Sequence, residues 1–285
     1  MRVVPDELLM STEEHWLGDM MSNSIVKISM ADIPELKEVQ DKLVQHHAVI
    51  AEACAAVQVS SAIFEKMGLD AKGRPVTAGG THSRRMAFFK EVISWLKRKG
   101  HTEAANAVSN MDKQMRAWLN KVVIKRWVAP VTVQGGVIIS NDPKKPPGGQ
   151  SLHVDLKEVL GLAAFWGLDS FALNVVDGSD KYVAKAEAML AKGMSAEEVA
   201  TALPQLQVEQ VQINAGEIVL MHGFTVHGGA KGVAGKVSLR AHWYLQAKPL
   251  APKKKGGDTY PPSVHREINA KLGVVYASPN SPKAC

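Results

Sequence analysis

The sequence predicts an α+β protein, with a mainly helical N-terminal region followed by an antiparallel β sandwich or barrel. Three observations predict it. Up to residue 126, apolar residues recur at three- and four-residue spacing, the period of a helix face. After Trp127 the pattern changes to short β-rich segments, separated by turn signals and not alternating with helices. With 285 residues, 46% hydrophobic and 22% charged, the chain has enough apolar material for a sizeable core, which excludes a disordered protein.

Residues 31–67 read as helical: Leu36, Val39, Leu43, His47 and Ile50 share one face, and no glycine interrupts the run before Gly68. Residues 69–82 are a Gly/Pro-rich connection. Two further helices are expected, over 83–99 (Phe88, Phe89, Ile93, Trp95, Leu96) and 102–126 (Met111, Met115, Trp118, Leu119, Val122). Strands are expected at 131–140, 150–156, 170–176, 208–213, 216–223 and 236–246. Their turns are NDPKKPPGG at 141–149, DGSD at 177–180 and GVAG at 232–235. A helical insertion over about 181–203 interrupts the series, and a short helix is expected near 263–272.

The net charge of +6 is unevenly spread. Positions 1–71 balance to −7, 72–126 to +10 and 127–285 to +3. The basic middle segment, with SRR at 83–85, KRK at 97–99 and KR at 125–126, reads as solvated helix faces or as a field that draws an anionic partner. No stretch approaches ~20 uninterrupted apolar residues, so no membrane span is expected. The opening MRVVPDELLMSTEEHWLGDMM has early acids and no apolar run of signal-peptide length. Two cysteines, Cys54 and Cys285, make neither a disulfide framework nor a cysteine zinc site. The expectation is a soluble intracellular protein, cytoplasmic or nuclear.

The chemistry concentrates in His153 and Asp155 of QSLHVD and His227 of FTVHGG. In an extended segment, residues two apart share a face roughly 7 Å apart along the strand, so this imidazole and carboxylate converge on one point. A second imidazole from a distant strand completes two histidines and one carboxylate. That set holds one face of an octahedral metal, leaves three positions open and suits non-haem Fe(II). His222 is a rival for the distal position. Arg240 lies thirteen residues beyond His227, in a segment where Ser238, Arg240, His242 and Tyr244 share one face. An arginine among inward-facing positions needs an anion; its guanidinium takes a carboxylate in two parallel hydrogen bonds, and the Ser238 hydroxyl can add a third. Only Arg240 and Arg266 occur in 127–285. His242 reads as a core or pocket histidine, His46 and His47 as ordinary surface or packing residues, and Asn174 and Trp166 as candidate pocket walls.

The pattern His153-Val154-Asp155, a wide gap, His227, then Arg240 resembles the Fe(II)/2-oxoglutarate-dependent dioxygenase superfamily. QSLHVD at 150–155 and GEIVLMHGFTVHGG at 216–229 are most similar to its phytanoyl-CoA-hydroxylase-like branch. The resemblance covers residues ~127–246. It implies a double-stranded β-helix (jelly-roll, cupin-like) core over 127–246 that carries the 181–203 insertion. A helical region, 1–126, would support the barrel, and 247–285 would be a C-terminal extension. It implies the iron-ligand role for His153, Asp155 and His227, and the 2-oxoglutarate distal-carboxylate role for Arg240 and Ser238. The implied cofactors are Fe(II), 2-oxoglutarate as co-substrate, O2, and ascorbate as reductant. The implied activity is oxidative decarboxylation of 2-oxoglutarate coupled to hydroxylation of a small-molecule, anionic substrate. Related halogenases lack the carboxylate ligand, so Asp155 favours hydroxylation or desaturation. Two readings compete: a nucleobase-modifying oxygenase that uses the basic 72–126 segment on DNA or RNA, and a cupin-like metal- or ligand-binding protein without oxygenase activity.

Overall fold

The computed structural model describes residues 24–57, 84–122, 131–141, 162–203, 206–223, 225–247 and 276–277. The segments expected at 150–156 and 263–272 lie outside these residues.

Strands β1 (Ile25–Ser29), β2 (Arg84–Phe88), β3 (Val131–Asn141), β4 (Leu162–Gly167), β7 (Glu217–His222) and β9 (Arg240–Ala247) form a six-stranded sheet in the order β1-β7-β4-β9-β3-β2. A second sheet runs β10-β6-β5-β8, from β5 (Phe171–Val176), β6 (Leu206–Ile213), β8 (His227–Gly229) and β10 (Tyr276–Ala277). Every pairing is antiparallel except the two-residue contact of β10 with β6. Helices α1 (Pro34–Gln45), α2 (His47–Ala56), α3 (Phe89–Arg98) and α4 (Thr102–Val122) come before β3, apart from the interposed β2. Helices α5 (Ser179–Ala191) and α6 (Ala196–Ala202) stand between β5 and β6.

The six-stranded sheet has two buried faces. Leu162, Ala164 and Trp166 of β4, Ile218 and Leu220 of β7, and Ala241, Trp243 and Leu245 of β9 join the helices in one core. The alternate residues Ala163, Phe165, Val219, Met221 and Tyr244 pack against Phe171, Leu173, Val175 and Ile213 of the second sheet in another. The layers are therefore helices, sheet, sheet, and the period of two along each strand separates the cores. Two indoles stitch the first interface: Trp166 Nε1 donates to Gln40 Oε1 at 2.7 Å, and Trp243 Nε1 to Asp112 Oδ1 at 2.8 Å. Cys54 is part of this core, and burial pushes its thiol up to about 12, so it carries no thiolate at neutral pH.

Several elements differ from expectation for identifiable reasons. The run expected as one helix over 31–67 breaks at His46, whose N–H bonds the carbonyls of Lys42 and Leu43, and α2 restarts at His47. The segment expected as helix from 83 begins as edge strand β2, paired with β3 through Val137–Asn141; non-local pairing overrides the local helical spacing there. Strand β4 was not expected at all. All six of its residues, LAAFWG, are buried, so it shows no polar alternation. The insertion divides into α5 and α6 around Gly193 (φ +89°), and a Ser195–Glu198 capping box opens α6.

Gly136 sits at the β3 irregularity opposite Trp243. A Cβ there would land inside the Phe89 ring, which is buried and packs 5.3 Å from the Trp243 ring. Gly136→Ala is expected to cost about 1–3 kcal/mol through overpacking, read as a lower urea midpoint at unchanged slope. A neutral result would show that the ring can turn aside. Among the described residues, no helix is long and apolar enough to cross a membrane.

Candidate functional site

His227 opens β8 and is 4% exposed. It pairs in register with Val175, an inter-sheet core residue, so its imidazole projects between the sheets. Its Nδ1 lies 3.0 Å from the Thr225 carbonyl oxygen. A carbonyl only accepts, so Nδ1 carries the proton and the neutral ring has its lone pair on Nε2. Metal-binding histidines are held in a fixed tautomer by the same kind of bond. The residues before His227 are fixed too. Thr225 Oγ1 donates to the Ser24 carbonyl at 3.0 Å, Val226 N–H to Ser179 Oγ at 2.7 Å, and Val176 N–H to the Val226 carbonyl at 2.9 Å. Ser24, at φ +62°, donates its hydroxyl to Asp180.

Arg240 opens β9, 7% exposed, and pairs across the sheet with Gly167. No side chain stands beside it there, and a Cβ on Gly167 would lie 2.7 Å from the Asn214 carbonyl oxygen. Arg240 Nε donates to His242 Nε2 at 3.0 Å. His242 therefore accepts at Nε2 and carries its proton on Nδ1, which lies 3.5 Å from Tyr244 Oη. The guanidinium carbon lies 5.0 Å from the Phe171 ring centre, a cation–π contact. Phe165 ties the two halves of the site together: its ring meets His242 edge-on at 4.3 Å and His227 at 6.0 Å between centres.

The expected common face of Arg240, His242 and Tyr244 is what β9 presents between the sheets, while Leu239, Ala241 and Trp243 face the helices. Ser238 precedes the strand and lines a cleft of about 690 Å³ into which Arg240 also opens. His153 and Asp155 lie outside the described residues. Among the described residues, no three histidine, cysteine, aspartate or glutamate side chains gather as a metal site. His222 ends β7 in the same alternation as Ile218 and Leu220, which face the helices, away from the space that His227 enters. Trp166 is buried on that helix side as well, so it does not wall the pocket. Asn174 pairs with Gly228, out of phase with His227, and receives a 3.5 Å hydrogen bond from Gln210.

The structure adds one pair that spacing did not single out. His47 of α2 reaches Asp169 in the β4–β5 turn at 2.8 Å, and both line the cleft. Asp169 Oδ2 also accepts the Leu239 N–H at 2.8 Å, one residue before Arg240. The pair thus fixes the start of β9 against the helices. The hydrogen bond to Asp169 raises the His47 pKa above its ordinary value, against the opposing effect of burial. A raised folded pKa means that the stabilisation is fully present below the unfolded value near 6.5. It is lost as pH climbs through the folded value. Wild type should therefore exceed His47→Gln in unfolding free energy by more at pH 5.5 than at pH 8.5, by roughly 0.5–1 kcal/mol for a part-exposed pair. Equal differences at the two pH values would remove the charge from this contact.

No known protein family and no curated protein matches the chain. Solved structures do. SnoN, a non-heme alpha ketoglutarate dependent epimerase from nogalamycin biosynthesis, is 13% identical over 88% of this chain and 93% of its own, with TM-score 0.47. HygX from Streptomyces hygroscopicus, with nickel and 2-oxoglutarate bound, is 13% identical over 88% and 97%, with TM-score 0.45. A prolyl hydroxylase from Trichoplax adhaerens, in complex with a hypoxia inducible factor peptide, is 12% identical over 81% and 88%, with TM-score 0.44. At this identity and these TM-scores the likenesses bear no further weight, and the chemistry is read from this chain's own residues.

Proposed function

We propose that the protein is a non-haem Fe(II) oxygenase that couples oxidative decarboxylation of 2-oxoglutarate to hydroxylation of a small-molecule substrate. The observation that carries this reading is the inter-sheet space shared by two groups of complementary chemistry. One is a buried histidine whose Nδ1 is committed to a carbonyl. The other is a buried arginine oriented by His242 and open to a cleft. A guanidinium that opens into a cleft can take a carboxylate in two parallel hydrogen bonds. An imidazole with its lone pair directed from Nε2 suits a metal.

In this reading the two sheets are the double-stranded β-helix core. His153, Asp155 and His227 would hold Fe(II). Arg240 and Ser238 would hold the far carboxylate of 2-oxoglutarate. Within the superfamily, QSLHVD keeps the chain closest to the phytanoyl-CoA-hydroxylase-like branch. Bound together, the metal and 2-oxoglutarate supply dioxygen activation and the oxidation of a C–H bond. The chain's own contribution is placement. Thr225 fixes the His227 tautomer, His242 orients Arg240 through its Nε, and Phe165 forms an apolar floor beside both histidines that keeps water out.

Anaerobic titration of the apo-protein with Fe(II) and then 2-oxoglutarate tests the reading through the visible charge-transfer band. A band that needs both additions and is lost in His227→Ala is the expected result. Well-folded wild type that binds metal but shows no band would return the protein to the cupin-like alternative.

A further inference from the structure

We propose that Asp169 and His47 are positioning residues for the co-substrate clamp, holding Ser238 and Arg240 in place through the backbone of Leu239. The proposal rests on the functional reading above and adds the groups that aim its clamp. Leu239 lies one residue before β9, between the two clamp residues. Its carbonyl oxygen accepts the Leu168 N–H at 3.1 Å and the Asp169 N–H at 2.9 Å. Its own N–H donates to Asp169 Oδ2 at 2.8 Å. Asp169 therefore grips Leu239 on both sides. A peptide group is planar, so holding the carbonyl fixes the plane that Leu239 shares with Arg240, and holding the N–H fixes the plane it shares with Ser238. The directions in which the two clamp side chains leave the backbone follow from those planes.

His47 holds the gripping carboxylate in turn. Its Nε2 lies 2.8 Å from the same Asp169 Oδ2, and a carboxylate accepts, so Nε2 donates. Two donors from different layers thus converge on one oxygen: a helix side chain and a backbone N–H beside the sheet. The rest of the strand end is fixed as well. Arg240 pairs with Gly167, whose carbonyl accepts the Gly216 N–H at 2.8 Å, and the Leu239 side chain is fully buried in the helix-facing core. His47, Asp169, Ser238 and Arg240 line the same cleft. A two-pronged contact needs its fork aimed at the carboxylate. Tilting this short backbone segment therefore weakens co-substrate binding without removing any group that touches it.

The test is anaerobic titration of Fe(II)-loaded protein with 2-oxoglutarate, followed by the charge-transfer band, with Fe(II) affinity read separately against a chromogenic chelator. It compares wild type, Asp169→Ala, Asp169→Asn, His47→Ala, His47→Gln and Trp243→Phe. The last is the stability control: it loses the Asp112 hydrogen bond on the helix face of the same strand and touches none of the Leu239 backbone contacts. Asp169→Ala and His47→Ala should weaken 2-oxoglutarate binding roughly 10-fold. Asp169→Asn keeps an acceptor for the Leu239 N–H and His47→Gln keeps a donor, so each should recover to within about 3-fold of wild type. Trp243→Phe should bind 2-oxoglutarate as wild type does, and Fe(II) affinity should be unchanged throughout. Wild-type binding by either alanine variant overturns the positioning role and leaves the function intact. So does a loss in Trp243→Phe as large as in the alanine variants, which would tie binding to stability alone. If Asp169→Ala does not fold, the His47 pair decides by the same criteria. No band in wild type overturns the functional reading and the positioning role with it.

Discussion

Arg240→Ala is expected to weaken 2-oxoglutarate binding by roughly 30- to 5,000-fold, the equivalent of about 2–5 kcal/mol for one partner of a buried charge pair. The effect is large because of where the guanidinium sits. It is nearly inaccessible, its Nε donates to His242, and its guanidinium lies against the Phe171 ring. Removing it would strand the co-substrate's far carboxylate in a low-dielectric space. Fe(II) affinity should be little changed, since Arg240 is a cation and offers no lone pair. The loss should appear in the dissociation rate. Arg240→Lys is the sharper comparison. An ammonium keeps the charge, but it cannot both serve His242 Nε2 and grip a carboxylate with a planar fork. It should recover only part of the affinity. Retention of wild-type binding by Arg240→Ala would remove the arginine from the site and, with it, the assignment of 2-oxoglutarate.

Trp243→Ala, one strand position beyond His242, is expected to destabilise the fold by about 3–5 kcal/mol. Its indole faces the other way. It is fully buried against the helices, 5.3 Å from Phe89 and 6.3 Å from Trp166 between ring centres. Its Nε1–H satisfies Asp112 Oδ1, which also accepts Arg116 Nε at 2.8 Å. Arg116 in turn donates to the Val133 carbonyl at 2.9 Å, so truncation opens a cavity beside a network that joins α4 to β3 and β9. Trp243→Phe keeps most of the volume and loses the hydrogen bond, for an expected cost of about 1–2 kcal/mol. Urea unfolding of the pair separates packing from hydrogen bonding. A loss below ~1 kcal/mol in Trp243→Ala would show that the helices do not rest on this strand.

These two variants lie three positions apart, on opposite faces of one sheet. The alternation that divides them was readable in KVSLRAHWYLQ, because polar and apolar residues take turns along it. β3, β5, β6 and β7 were legible as short β-rich runs between turn signals. That signal failed at β4, LAAFWG, which has no β-branched residue. It failed at β2, where pairing to β3 outweighs a run that also fits a helix. His227 and Arg240 stood out as residue types at a particular spacing. His47 did not, because its partner Asp169 lies 122 positions away and local pattern holds no trace of such a contact.

By itself, then, the sequence determined a mixed class of helices and antiparallel strands, and it marked His227 and Arg240 as residues worth placing. These are consequences of local period and residue type. Only the tertiary structure decided which side of each strand serves the site, that His222 faces the helices while His227 faces the inter-sheet space, and that α2 reaches over to pin the start of β9. It also decided that Ser238 and the buried Arg240 line one cleft with His47 and Asp169. Each of these depends on pairings between residues far apart in the chain, which fix orientation only when the sheets close on one another.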